Sequence, residues 1–282
     1  MSMSNPKVWL ITGASSGFGR ALTVAAVAAG DTVVATARRT SALADLVTDH
    51  PDQVDAVELD VTDVAAADAV VGAAIARYGR IDVLVNNAGR TQVGAVEETT
   101  DGELRDLFDV HFFGPAALTR AVLPHMRSRR SGTIVMMSSI GGQLSFAGFS
   151  AYSATKFALE GLSEALAEEV RPFGIRVLVV EPGAFRTNLF GAGAAYFSTE
   201  DPAYAETAGA TRRMVETGGG SQPGDPAKAA AAIRSAIDAP NPPLRLPLGG
   251  DAVDAILEHN YRVRADVTQW QSISRATTFG DQ

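Results

Sequence analysis

The chain contains no cysteine. That excludes disulfides, a thiolate nucleophile and any cysteine-ligated metal. Histidine is sparse too: His50, His111, His125 and His259 lie far apart, without the spacing of metal ligands. Positive charge is in short supply, with 24 Lys and Arg against 32 Asp and Glu and a net charge of −8. Phosphate-backbone binding needs a basic field, so nucleic acid is excluded as a general partner. The one basic cluster, Arg127, Arg129 and Arg130, reads as a solvated helix end. No apolar run is long enough to cross a bilayer. The opening MSMSNPK lacks the charged and apolar regions of a signal peptide. The expectation is a cytoplasmic protein with no membrane partner.

What is present is an ordinary globular balance, 46% hydrophobic and 20% charged, over 282 residues, enough for one sizeable α/β domain. Short β-branched runs alternate with helical patterns. Strands are predicted at 7–12, 31–37, 54–59, 81–85, 133–137, 175–180 and, shorter, 244–246. Helices are predicted at 17–29, 41–49, 64–78, 101–128, 151–170, 226–239 and about 251–270, with Gly114-Pro115 and Pro124 bending the long one. Strand–helix alternation at this pitch gives βαβ units. Continuous apolar strands such as VWLI and VLVV fit a sheet covered on both faces. The reading is one domain over 1–282, a doubly wound, mostly parallel seven-stranded sheet. Residues 188–223 are expected to be an irregular lid and 250–282 a C-terminal helical extension.

The first strand runs into Gly13-Ala14-Ser15-Ser16-Gly17-Phe18-Gly19. Glycine at a strand end lets backbone approach a phosphate. Glycine at a helix start exposes N–H groups at the positive end of the dipole, and the last glycine allows close helix–sheet packing. This points to a dinucleotide. The second strand ends in Arg38-Arg39 where a carboxylate would bind a ribose 2′-hydroxyl. Guanidinium groups suit a 2′-phosphate, so NADP(H) is favoured over NAD(H).

Further motifs follow in order: Asp60-Val61, Asn86-Asn87-Ala88-Gly89, Ser138-Ser139, Tyr152-x-x-x-Lys156, and Pro182-Gly183 with Thr187. Together with the glycine loop, these resemble the short-chain dehydrogenase/reductase family, in its smaller classical type, across 6–187. The resemblance implies a Rossmann-type fold and an oxidoreductase that moves a hydride between nicotinamide and a carbonyl or alcohol. It implies that Tyr152 is the general acid or base, that Ser139 holds the substrate oxygen, and that Lys156 binds the nicotinamide ribose and favours tyrosinate. Asp60 and Val61 would lie at the adenine, with Asn87, Ala88 and Gly89 along the cofactor. Pro182, Gly183, Phe185 and Thr187 would lie along its nicotinamide half. A homodimer or homotetramer is implied, pairing helices 101–128 and 151–171.

One position departs from the family: His111 stands where an asparagine usually helps hold a water linked to the lysine. It either replaces that asparagine in the relay, packs as a structural residue, or marks an impaired relay; the first is slightly favoured, since imidazole can bond water and titrate near neutrality. Phe185, Leu189, Phe190, Tyr196, Phe197 and Tyr204 follow the sixth strand, and Phe146 and Phe149 lie between Ser139 and Tyr152. An apolar pocket is expected, for a hydrophobic ketone, aldehyde or secondary alcohol, with Arg186 the one candidate for a carboxylate clamp and Trp270 covering the pocket or an interface. The alternative from another class is a non-catalytic NADP-binding sensor or scaffold.

Overall fold

The computed structural model describes residues 6–191 and 193–279. The parts of the expectations placed on 1–5, on 192 within the lid and on 280–282 lie outside the described residues. Seven strands form one sheet: β1 (Val8–Ile11), β2 (Thr32–Ala37), β3 (Val54–Glu58), β4 (Val83–Asn86), β6 (Gly132–Met137), β7 (Ile175–Pro182) and β9 (Arg245–Leu248), in the order β3-β2-β1-β4-β6-β7-β9. Every pairing is parallel. The strand order reverses between β1 and β4, and a crevice opens there at the carboxyl ends of the strands.

Alternation along β1 shows why both faces are covered. Trp9 and Ile11 enter one apolar cluster with α1 (Gly17–Ala28) and α8 (Pro226–Asp238). Leu10 enters another with α3 (Ala66–Tyr78), α5 (Gly114–Arg129) and α6 (Ser150–Val170). The short α2 (Ala44–Asp49) closes the β2–β3 crossover. Asp225 caps α8, its side chain accepting from the amides of Ala227 and Lys228, with Pro226 at the first turn as the sequence predicts.

Two expectations change. The helix at 101–128 is α4 (Asp101–Phe108), one π-turn over Asp109–Phe113, then α5. The π-turn, not the prolines alone, breaks the helix, and Pro115 sits in the first turn of α5 where no N–H is needed. The segment 188–223, expected to be an irregular lid, is not irregular either. Its β8 (Ala195–Phe197) pairs in parallel with β5 (Thr91–Val93), the segment directly after the Asn87-Ala88-Gly89 motif, and α7 (Ala208–Thr217) follows. The last helix, α9 (Gly250–Arg275), outruns its expected end. Only Ala252 and Ile256 of it are buried, and Trp270 is 56% exposed and does not line the cleft described below.

Candidate active site

The cleft at the strand reversal has a volume of about 530 Å³, within the range of small-molecule sites. Gly13, Ser16, Gly17 and Phe18 form its floor beside α1. Ser16 is the N-cap of α1 but makes no side-chain capping bond, and the first turn holds no acid. The helix N–H groups are therefore left to an anion. Gly19 does not line the cleft; it enforces the packing that shapes it. A Cβ there would lie 2.4 Å from the carbonyl oxygen of Gly13 and 2.5 Å from Asn87 Nδ2. Asn87 in turn donates its Nδ2 to the carbonyl oxygen of Thr12 at 2.8 Å and ties the β4 loop to the glycine loop. Ser15 and Arg39 lie off the lining, and Arg39 opens the 3-10 turn after β2.

Arg38 lines the cleft at the end of β2, with Asp60 and Val61 beside it. Among the described residues no carboxylate pairs with Arg38. Asp60 accepts from the amide and hydroxyl of Thr62, which fixes the turn holding Val61. These residues fit a dinucleotide: a helix start with unanswered N–H groups, a free guanidinium at the ribose end, and an apolar wall.

The other end gathers Ser139, Tyr152, Lys156, Ala88, Gly89, Pro182, Gly183, Phe185 and Thr187. Tyr152 and Lys156 stand one turn apart on α6, the ammonium 5.7 Å from the phenol ring centroid. Lys156 is 5% exposed and donates to the Met137 carbonyl at 2.9 Å. Burial pulls its ammonium down to about 8, while Glu160 opposes that. The expected lowering of Tyr152 is not found. Burial pushes its phenol up, and the Ser139 hydrogen bond offsets part of that. Ser139 Oγ accepts the Gly141 amide at 3.0 Å, which leaves its own hydrogen to donate.

His111 is buried in the π-turn, its ring edge-on to Tyr152 at 5.5 Å. Nε2 accepts the Arg90 amide at 3.2 Å and Nδ1 lies 2.8 Å from Thr155 Oγ1. Both nitrogens are engaged within the protein. The favoured expectation, that His111 takes over a water relay, is corrected on that ground: no ring nitrogen is left for the water. Burial, then the charges of Lys156 and Arg90, hold it well below the usual histidine value.

Of the aromatics expected at the pocket, Phe185, Phe190 and Tyr196 line the cleft with Leu189, whereas Phe146, Phe149, Phe197 and Tyr204 do not. Arg186 is no free clamp; its Nε and Nη2 donate to the Gln222 carbonyl. The sequence reading missed Arg90, which lines the cleft with its guanidinium 4.3 Å from the Tyr196 ring centroid. Its position directly after Gly89 is the signal by which it could have been found.

The family model described as short chain dehydrogenase matches residues 7–195. A solved structure of a short-chain dehydrogenase from Streptomyces avermitilis is 68% identical, covers 98% of this chain and 100% of its own, and superposes with a TM-score of 0.93. A 3-ketodihydrosphingosine reductase from Bacteroides thetaiotaomicron is 37% identical over 86% of this chain and 88% of its own. A metagenomic short-chain oxidoreductase solved with NADP is 33% identical over 66% of this chain and 86% of its own, with a TM-score of 0.61.

Proposed function

The chain belongs to the short-chain dehydrogenase family of NAD(P)-dependent oxidoreductases, and on that premise we propose that it is an NADP(H)-dependent enzyme interconverting a hydrophobic ketone or aldehyde and its alcohol, with Tyr152 as acid and base. The observation that carries this is the convergence of Ser139, Tyr152 and Lys156 on one end of a cleft whose other end holds Arg38. The dinucleotide, when bound, supplies or accepts the hydride. Ser139 donates its hydrogen to the substrate oxygen and fixes it beside the phenol. Tyr152 gives its proton to that oxygen in reduction and takes it back in oxidation. Reduction leaves charge on oxygen, so a donor in reach lowers the barrier. Its raised value keeps the phenol protonated at neutral pH, which suits the reductive direction. Lys156, with its Nζ already held by a carbonyl, orients toward the ribose side and holds positive charge near the phenol.

Phe185, Leu189, Phe190 and Tyr196 support a hydrophobic substrate, and the similarity to a 3-ketodihydrosphingosine reductase agrees with it. Arg38 without a carboxylate partner supports the 2′-phosphate. Phe113 and Phe157, both about half exposed beside and on the helices expected to pair, support a homo-oligomer through that face. The test is NADPH oxidation with a panel of hydrophobic carbonyls. Turnover is expected in the native chain and its loss by about 10²–10⁴-fold in Tyr152→Phe with NADPH binding retained. Tight NADPH binding with no turnover in either form would instead favour the sensor reading.

A further inference from the structure

Beneath the catalytic residues lies a second, buried cluster of charge. Glu160 stands one turn past Lys156 on α6 and is 5% exposed. Glu181, near the end of β7 and next to Pro182, is 1% exposed. Buried carboxylates are costly unless paired. Arg245 from β9 answers both: its Nε lies 3.0 Å from Glu160 Oε2 and 3.5 Å from Glu181 Oε1, and its Nη2 reaches the exposed Glu164 at 2.6 Å. Gln143 donates to Glu181 Oε1 at 2.7 Å from the turn that follows Ser139.

The cluster therefore touches every arm of the site. It shares a helix with Tyr152 and Lys156. Through Gln143 it braces the Ser139 turn, and through Glu181 it adjoins Pro182-Gly183. The fit against that turn is tight. A Cβ at Gly142 would lie 2.5 Å from Ser138 Oγ and 3.0 Å from Glu160 Oε1, and both of these oxygens are buried without a hydrogen-bond partner. One carboxylate and one guanidinium would make a sufficient structural ion pair. Two buried carboxylates to one guanidinium leave an excess acid inside the protein, one helical turn from a buried lysine.

We infer that Glu160, with Glu181 and Arg245 holding it in place, is a positioning residue whose charge keeps the buried Lys156 protonated during turnover. This rests on the proposed role of Lys156 at the cofactor ribose. The groups facing Lys156 are few. His111 from the π-turn is neutral, Tyr152 and Glu160 share its helix, and Met137 offers a carbonyl from β6. Glu181 and Arg245 come from β7 and β9, and Asp251 on α9 is bound to the Ala184 amide. Glu160 is thus the buried acid on the lysine's own helix. Burial and the adjacent Glu160 push Glu181 up to about 7, while Gln143 and Arg245 oppose that.

The chain has only three lysines, Lys7, Lys156 and Lys228, so Lys156 can be followed directly by ¹³Cε NMR, its signal assigned with Lys156→Met. The native protein, Glu160→Gln and Glu164→Gln are titrated, each checked for an unchanged melting profile and NADPH affinity. Glu160→Gln should lower the Lys156 midpoint by about half a pH unit or more and move the alkaline limb of kcat/KM with it. Glu164→Gln, which alters the same arginine from the exposed side, should move neither. An unchanged midpoint in Glu160→Gln, or equal shifts in both variants, overturns the inference. If Glu160→Gln unfolds, Glu160→Asp keeps the charge and should retain the native midpoint; a midpoint lowered in Glu160→Asp also overturns it. The NMR midpoint is read without turnover, so a native chain that shifts as expected yet reduces no carbonyl would count against the proposed function alone.

Discussion

His111 and Thr155 are joined by a 2.8 Å hydrogen bond between Nδ1 and Oγ1. Because Nε2 accepts the Arg90 amide, Nδ1 carries the hydrogen and donates it. Thr155 passes its own hydrogen to the carbonyl of Tyr152 at 2.7 Å. A neutral imidazole thus links the π-turn to the turn of α6 that carries Tyr152 and Lys156. Removing it in His111→Ala strands buried partners and should cost about 1–3 kcal/mol, read as a lower melting temperature. The sign of the pH effect follows from its depressed value. Above about pH 6.5 the imidazole is neutral folded or unfolded and its contribution is fully present. As pH falls below that, the unfolded chain binds a proton the folded chain resists, and stability is lost. His111→Asn should remove this acid-side component from the melting profile and leave the alkaline limb of activity in place.

Arg38 sets the second prediction. Arg38→Ala should raise the NADPH Michaelis constant by about tenfold or more, the worth of a charge-assisted bond of about 1.5–3 kcal/mol, and change the NADH constant little. Steady-state kinetics with both cofactors decide it, and equal effects would remove Arg38 from the 2′-phosphate.

Gly19→Ala is the third. The added methyl meets a backbone oxygen and Asn87 inside 2.6 Å, so the loop must shift. Overpacking of this kind costs about 1–3 kcal/mol. NADPH affinity by calorimetry and the melting temperature should both fall.

The fourth concerns α9. Its described residues beyond the half-buried His259 are all exposed, and a helix without packing is marginal in water. Limited proteolysis should cut first beyond residue 256. The shortened chain should keep its sheet and its NADPH affinity, since only Ala252 and Ile256 of α9 are buried. Simultaneous loss of helix and affinity would show that the distal helix supports the site.

The glycine loop, Ser139, Tyr152 and Lys156 were legible because each combines a local pattern with a fixed place in strand–helix order. The parallel sheet was legible for the same reason. What escaped had no local pattern. A π-turn differs from α-helix by one inserted residue and leaves no periodic signature. Ala195–Phe197 is too short to read as a strand and exists only because Thr91–Val93 lies beside it. Glu160 falls within a helix that also carries exposed acids, and nothing in its neighbours says that this carboxylate points inward to Arg245. The relay expected of His111 failed because its partners, Arg90 and Thr155, are set by tertiary approach.

The pairing of β5 with β8 bears on how ligands come and go. The amide of Thr91 bonds the Ala194 carbonyl at 2.8 Å and that of Ser198 bonds the Val93 carbonyl at 2.9 Å. The segment that carries β8 is therefore stitched by main chain to the strand that leaves the Asn87-Ala88-Gly89 loop. It cannot swing aside as a loose flap. Admission of substrate has either to unzip this ladder or to pass around it, and each route has its own clock. Unzipping would expose the Thr91 and Ser198 amides to deuterium at a rate tied to product release, whereas passage around an intact ladder would leave them protected through many turnovers.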